Sequence, residues 1–274
     1  MKTVSPMELQ SSERDRSLVQ SLVRAFGILS LFKGDNSDAL GLSDISRKSG
    51  LSKGTAHRLM TTLIEIGLLE QDHESRRYRP GIETLALAQA WLSRFEPRRA
   101  ALPHMERLAS ETGESVFLGV LASDGSEVIY IEKVESRRTL KTDIQIGSRL
   151  PAHCTSIGKA ILAFMPPERV LEIFSTSEMV RLTQNTLTRV SQLIEQLQAV
   201  RAQGFAVNVE ESTPGVCAVA SPIYSYNDHV EAAINVSVPS ARIDPDLLYG
   251  QLAQQVVTCA SEISAALGAP RLTR

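Results

Sequence analysis

The stretch GLSDISRKSGLSKGTAHRLMTTLIEIGLLE, residues 41–70, spaces its apolar residues for two packed helices, yet leaves Lys53, Thr55, His57, Arg58 and Thr61 on a face that no core requires. Ser43 is placed to cap a short helix in which Ile45 faces inward, and Ser49-Gly50 ends that helix in a turn favouring glycine. Ser52 caps the next helix. At 100° per residue, Ala56, Leu59, Met60 and Leu63 fall within one arc of it, while Gly54, Thr55, His57, Arg58, Thr61 and Thr62 fall opposite. Two helices joined by a short glycine turn, the second presenting Thr, His and Arg from its first turns, form the arrangement that inserts a helix N-terminus into a DNA major groove.

The flanks extend this reading. Upstream, a polar tail over residues 1–17 gives way to Leu18, Leu22, Phe26 and Leu29 at helical spacing, until Lys33-Gly34-Asp35-Asn36 stops the run. Downstream, Gly67-Leu68-Leu69-Glu70 starts a strand, QDHESRR forms a polar tip, and Tyr78-Arg79-Pro80 returns. This is a wing. Arg76, Arg77 and Arg79 on or beside it are placed to meet phosphates or a minor groove, adding affinity that depends on salt rather than on sequence. The expected DNA-contacting set is Ser52, Lys53, Gly54, Thr55, His57, Arg58, Thr61, Arg76, Arg77 and Arg79.

Composition sets outer limits. The chain has 274 residues, of which 43% are hydrophobic, which suits two domains. Net charge is −2, but residues 1–80 hold 12 basic against 10 acidic side chains and the remainder 17 against 21. That asymmetry suits an N-terminal part that meets an anion. Cys154, Cys217 and Cys259 are odd in number and far apart, with no secretory signal before them, so a disulfide framework is not expected and a reducing cytoplasm is. No apolar run approaches the roughly 20 residues that span a bilayer.

Beyond the wing, Gly81 to Phe95 reads as an amphipathic helix ended by Pro97, suited to pair with its own copy. Arg98 to Thr112 reads as a further helix, and Val116 to Leu121 with Glu127 to Val134 as strands around Ser123-Asp124-Gly125-Ser126. A helix over Leu187 to Gln203 closes at Gly204; Ala206 to Val209, Ala218 to Ile223 and Ala232 to Val238 read as strands; the last helix runs from Asp246 to Leu267 before Gly268. The domains expected are a tail (1–17), a winged helix-turn-helix (18–80), a linker helix (81–97), an effector-binding domain (98–268) and a second tail (269–274).

The segments LSDISRKSGLSKGTAHRLMTTLIEIGLLEQD, YRPG, LPAHCTSIGKAILA and GFAVNVEESTPGVCAVASPI, in this order across roughly Leu18 to Leu267, resemble the IclR-type bacterial transcriptional regulators. The resemblance implies an α+β chain: a winged helix-turn-helix, a linker helix, and a GAF-like effector domain with an antiparallel sheet flanked by helices. It also implies dimers, often paired into tetramers, on double-stranded operator DNA. Effector-contacting positions of the family match Ser156, Ile157, Asn208, Ala218, Asn235 and Ser237. Many members carry Asp where Asn208 stands and Cys where Ala218 stands, and Cys217 lies one position early, facing away.

Catalytic readings of the same segments fail. HCTSIGKA lacks the first glycine of a phosphate loop, since His153 holds that place, and Ala160 replaces the metal-binding hydroxyl. Ser156 and Lys159 match the S-x-x-K of serine acyl enzymes and SYN at Ser225 to Asn227 could mimic the second motif, but no lysine follows Lys159 to supply the third. His153 beside Cys154 suggests a thiol and its base, yet neighbours on a strand point to opposite faces. No ligand-pair spacing supports zinc. No catalytic residue, metal or cofactor is expected; the rival reading is an acyl-transfer or thiol enzyme using Ser156, Lys159 or Cys154.

A binding pocket accounts for these residues better. Thr155 or Ser156 caps a helix whose first N–H groups can hold an anion, so the expected effector is a small organic acid, with Ile157 and Leu118 as apolar wall and Ser237 assisting. The chain then reads as a ligand-responsive repressor, with activation of a catabolic operon as the alternative sign.

Overall fold

In a computed structural model, residues 18–32, 39–135 and 144–270 are described. The predicted stop at Lys33 to Asn36 lies outside them, as do both tails apart from Ala269 and Pro270. The chain divides into two compact units at Trp91–Leu92, inside the helix assigned above to a linker.

The first unit holds helices α1 (Gln20–Ser30), α2 (Leu42–Ser49) and α3 (Lys53–Glu65) and strands β1 (Leu69–Gln71) and β2 (Tyr78–Pro80). Ile28, Leu40, Ile45, Ala56, Met60, Leu63, Leu69 and Tyr78 form its core, so each helix gives one stripe to it. Ser43 does not cap α2. Gly41 occupies the N-cap, its carbonyl accepting from the Ile45 N–H at 3.0 Å, which places Ser43 inside the first turn. Gly50 ends α2 at φ 70°, a left-handed conformation that glycine adopts without a Cβ penalty. Ser52 does cap α3, accepting from the Thr55 N–H at 3.2 Å. The wing pairs Leu69 with Pro80 and Gln71 with Tyr78, and Leu40 bridges to Tyr78 on the other side. At its base a Cβ on Gly81 would stand 2.1 Å from the Gly67 carbonyl oxygen, so only glycine lets the two chains cross there.

Helix α4 (Glu83–Arg94) is followed at once by α5 (Glu96–Thr112). Pro97 starts α5 rather than ending α4: it sits in the first turn after the extended Phe95, where a missing N–H costs nothing.

The second unit is a six-stranded antiparallel sheet of order β5-β4-β3-β8-β7-β6, with β3 Ser115–Leu121, β4 Glu127–Val134, β5 Arg149–Pro151, β6 Ala206–Val209, β7 Val216–Tyr224 and β8 Val230–Pro239. Both faces are covered. On one side α5 packs with α9 (Ala253–Ala266), which continues from Pro245–Leu247 through a π-turn at Leu248–Leu252. On the other lie α6 (Ser156–Leu162), α7 (Pro167–Thr176) and α8 (Val190–Gln203). Strand alternation separates the layers: Val116, Leu118 and Val120 join the α5/α9 side, while Phe117 joins the α6 side. Sequence reading missed β5 and α7 and began α8 three residues early. Thr186 explains the last error: its hydroxyl accepts from the Leu182 and Thr183 N–H groups and donates to the Glu211 carbonyl, holding the preceding chain out of the helix.

Candidate functional site

On α3, Ser52, Lys53, Gly54, His57, Arg58 and Thr61 are exposed and Thr55 is half-buried, opposite the buried Ala56, Met60 and Leu63. The polar face is partly organised by its own helix. Thr61 donates to the His57 carbonyl at 3.0 Å, and the Thr55 and Ser52 hydroxyls lie 2.9 Å apart. Nothing lies within 4 Å of a Cβ built on Gly54, so backbone and solvent meet there directly. The wing arginines differ among themselves. Arg79 pairs with Glu70 across the hairpin and Arg77 donates to the Ala39 carbonyl at 3.1 Å, whereas the Arg76 side chain has no partner among the described residues. Arg76 occupies the turn at φ 56°.

In the second unit, α6 lies across one sheet face on two glycines. A Cβ on Gly119 would come within 2.8 Å of Val128 and 3.1 Å of Ile157; one on Gly158 would stand 2.2 Å from the Ala152 carbonyl oxygen. Gly158→Ala therefore drives side chain into backbone, and we expect it to lower unfolding stability by at least about 1–3 kcal/mol in urea titration. Thr155, not Ser156, caps α6, accepting from the Gly158 N–H at 3.2 Å. No acceptor among the described residues takes the Ser156 or Ile157 N–H.

Under the start of α6 runs a row of paired residues on four strands, Asn208–Ala218–Ser237–Ser115, with Ala206–Ala220–Asn235–Phe117 beside it. The register thus gathers four expected effector residues beneath Ser156 and Ile157, and all six are buried. Leu118 is corrected: it pairs with Ile234 and joins the α5/α9 layer, so Phe117 and Gly119 face α6 instead. Cys217 also belongs to the α5/α9 side.

The Asn235 Nδ2 lies 3.2 Å from the Ser156 hydroxyl and 3.4 Å from that of Ser237, while its Oδ1 is buried without a partner among the described residues. Both hydroxyls can also donate, so the amide turned over would give Oδ1 to them and leave Nδ2 to a ligand. Either way, one polar end is left over. Asn208 is occupied: Nδ2 donates to the Cys154 carbonyl at 2.6 Å and to the Ser212 hydroxyl at 3.0 Å, and Oδ1 accepts from the Glu211 N–H at 2.9 Å.

One helical turn along α6, Lys159 is buried and donates to the Val207 carbonyl at 2.7 Å, to Gln196 at 3.2 Å and to the Glu211 carboxylate. Burial pushes the Lys159 amine down and the Glu211 carboxyl up, and the mutual attraction of the pair opposes both shifts. All three ammonium donors are used, and Ser156 is bound to Asn235, so no Ser–Lys dyad exists. His153 and Cys154 lie in a single 3₁₀ turn, not on a strand. The His153 Nε2 is 3.2 Å from the Val180 carbonyl, and burial pushes the Cys154 thiol up to about 12, away from nucleophilic use. No group of metal-ligating side chains occurs among the described residues, and no helix there is long and apolar enough to cross a membrane.

Residues 21–73 match the IclR helix-turn-helix domain, and residues 89–265 the family described as bacterial transcriptional regulator IclR, C-terminal. The HTH-type transcriptional regulator XynR of Escherichia coli is 33% identical over 253 residues, covering 92% of this chain and 99% of that protein. The glycerol operon regulatory protein of Streptomyces griseus is 37% identical over 261 residues, 92% and 98% of the two chains. Among solved structures, an IclR homolog complexed with 4-hydroxybenzoate from Microbacterium hydrocarbonoxydans is 26% identical, with a TM-score of 0.75 over 90% of this chain and 98% of that one. The helix-turn-helix unit is thus the DNA-binding half of a transcriptional regulator and the sheet unit its effector-binding half, and the chain belongs to the IclR family of bacterial transcriptional regulators.

Proposed function

We propose that this protein, as a dimer or a pair of dimers, represses transcription from a palindromic or repeated operator and changes its hold on that operator when a small organic acid binds the second unit. The observation that carries the effector site is the buried Asn235 amide, with one end unclaimed among the described residues, beside the Ser156 and Ile157 N–H groups that open α6. With the amide turned over, its Nδ2 joins the Ser156 and Ile157 N–H groups at the start of α6 as donors of the kind that suit a carboxylate. The 4-hydroxybenzoate of the Microbacterium hydrocarbonoxydans homolog is an acid of this kind. Coupling of about 1–3 kcal/mol between the two units would change operator occupancy roughly 5- to 150-fold.

Contact with DNA falls to the exposed residues of α3, Ser52 to Thr61, and to Arg76 at the wing tip. Arg77 and Arg79 keep further guanidinium N–H groups for phosphates beside their present contacts with Ala39 and Glu70. Self-association uses apolar residues that the first unit leaves in solvent. On α1 and just before it these are Leu18, Leu22 and Phe26, the last 61% exposed; on α4, which buries none of its residues, they include Leu85, Leu87 and Trp91. A second copy is the partner that suits a regulator reading a two-fold operator, because the same faces then meet in an isologous contact.

A thermal-shift panel of matched acids tests the effector reading: 4-hydroxybenzoate with benzoate, 3-hydroxybutyrate with butyrate, and glycolate with acetate. An acid present at 100 times its dissociation constant adds about 2.7 kcal/mol of stability. Ala218→Leu should abolish the shift by adding bulk beneath α6, and Asn208→Asp should weaken it by adding like charge and by losing the amide's donations to Cys154 and Ser212. Ala218→Leu should leave operator binding without the acid unchanged. Silence from every acid alongside a shift with neutral compounds would refute the acid reading.

A further inference from the structure

Glu211 is fixed at every polar atom but one. Its N–H donates to Asn208 Oδ1 at 2.9 Å, its carbonyl accepts from Thr186 at 2.7 Å and Thr183 at 3.3 Å, and Oε1 accepts from Lys159. Oε2 is buried and has no partner among the described residues, on a side chain that is 8% exposed. The loop that carries it leaves β6 after Val209, the residue next to Asn208, and Lys159 ties it to the helix that carries Ser156 and Ile157. An ionised carboxylate held by a lysine through one oxygen leaves the other as an acceptor only; it recognises a hydrogen-bond donor and repels a second acid. Asn208, one of the expected effector-contacting residues, is spent on the protein.

We propose that Glu211 selects the effector: its free carboxylate oxygen accepts a hydrogen bond from a hydroxyl at the end of the ligand opposite the carboxylate, so the effector class is hydroxy acids rather than bare acids. This rests on the reading of the Ser156–Asn235 site as an acid site. The two ends have opposite demands. Donors at Ser156, Ile157 and Asn235 take the carboxylate, and an acceptor at Glu211 takes the hydroxyl, so the site also sets the direction in which the ligand lies. Lys159 is the positioning residue that holds Glu211 in place through Oε1 and leaves Oε2 to the ligand. A site built to accept from a hydroxyl discriminates strongly against the analogue lacking it, because the buried acceptor is then left unpaired.

The test uses the full-length protein and the three matched pairs above, with phenol, 1-butanol and ethylene glycol as hydroxylated compounds without the acid. Binding is measured by calorimetry for the unsubstituted chain, for Glu211→Gln, and for Lys159→Met/Glu211→Gln, in which no unpaired charge is buried. Circular dichroism establishes that each variant is folded. We expect the hydroxy acid of at least one pair to bind at least tenfold more tightly than its bare partner, and both variants to reduce that ratio to within about threefold. Equal affinity within every pair, or a preference that survives in both folded variants, overturns the assignment of Glu211 and leaves the acid site standing. Binding of the hydroxylated neutral compounds alone, lost in Glu211→Gln, supports Glu211 as the hydroxyl acceptor and overturns the acid reading. No binding by any compound overturns both.

Discussion

Arg58→Ala is expected to remove sequence-specific operator binding while leaving the unfolding midpoint unchanged. Arg58 stands exposed on α3 within the first two turns after the Ser52 cap, on the side opposite Ala56 and Met60. A guanidinium there can donate two hydrogen bonds to one guanine edge, an interaction that discriminates by about 1–3 kcal/mol per base pair, or roughly 5- to 150-fold. The side chain makes no hydrogen bond or ion pair with any described residue, so its removal costs the fold nothing. Thr55→Ala should have a smaller effect, because Thr55 is half-buried and its hydroxyl is shared with Ser52 at 2.9 Å. Gel-shift titration at fixed salt, on operator and on scrambled DNA, separates the outcomes. Loss on operator alone identifies a base contact; equal loss on both would demote Arg58 to a phosphate contact. Undiminished operator affinity would place the recognition surface elsewhere.

The second large effect is expected from Leu22→Asp combined with Phe26→Asp. Both residues are exposed on α1, 58% and 61%, so the charges enter no core, yet they stand one turn apart on the face proposed to meet a second copy. The variant should sediment as a monomer, or as a smaller assembly than the unsubstituted protein. Its operator affinity should fall by about 10²–10⁴, because two winged domains held together engage the second half-site at high effective concentration. A monomer in the unsubstituted protein at micromolar concentration would end this proposal. Unchanged assembly in the variant would move the contact to α4, where Leu85 and Trp91 are 61% and 49% exposed. Residues 1–80 alone should bind more weakly than the whole chain for the same reason.

The effector half shows where physical reading of sequence reaches its limit. The S-x-x-K spacing of Ser156 and Lys159 is real in the chain, but the two side chains take different partners, Asn235 on β8 and Glu211 after β6. Spacing along a helix says that two residues share a region of its surface; it does not say which strand each will meet. Leu118 shows the same limit on a strand. In SVFLGVL, residues 115–121, every position is apolar or small because both faces of the sheet are covered, so alternation carries no label for the two sides.

What the amino-acid sequence determined unaided was local: the helix-turn-helix, whose apolar stripe, Ser52 cap and left-handed Gly50 all act within a few residues, the wing between Leu69 and Pro80, and the glycine-ended helices at Gly204 and Gly268. The tertiary structure decided the rest. It set that Pro97 begins a helix, that Phe117 rather than Leu118 faces α6, and that Asn208 is spent on Cys154 while Glu211 keeps an oxygen free. The reason is the range of the interactions. Caps and turns are closed by neighbours in the chain, whereas Lys159 and Glu211 are 52 residues apart, and Asn235 and Ser156 are 79. Such pairs are brought together only by strand register and by the close approach that Gly119 and Gly158 allow.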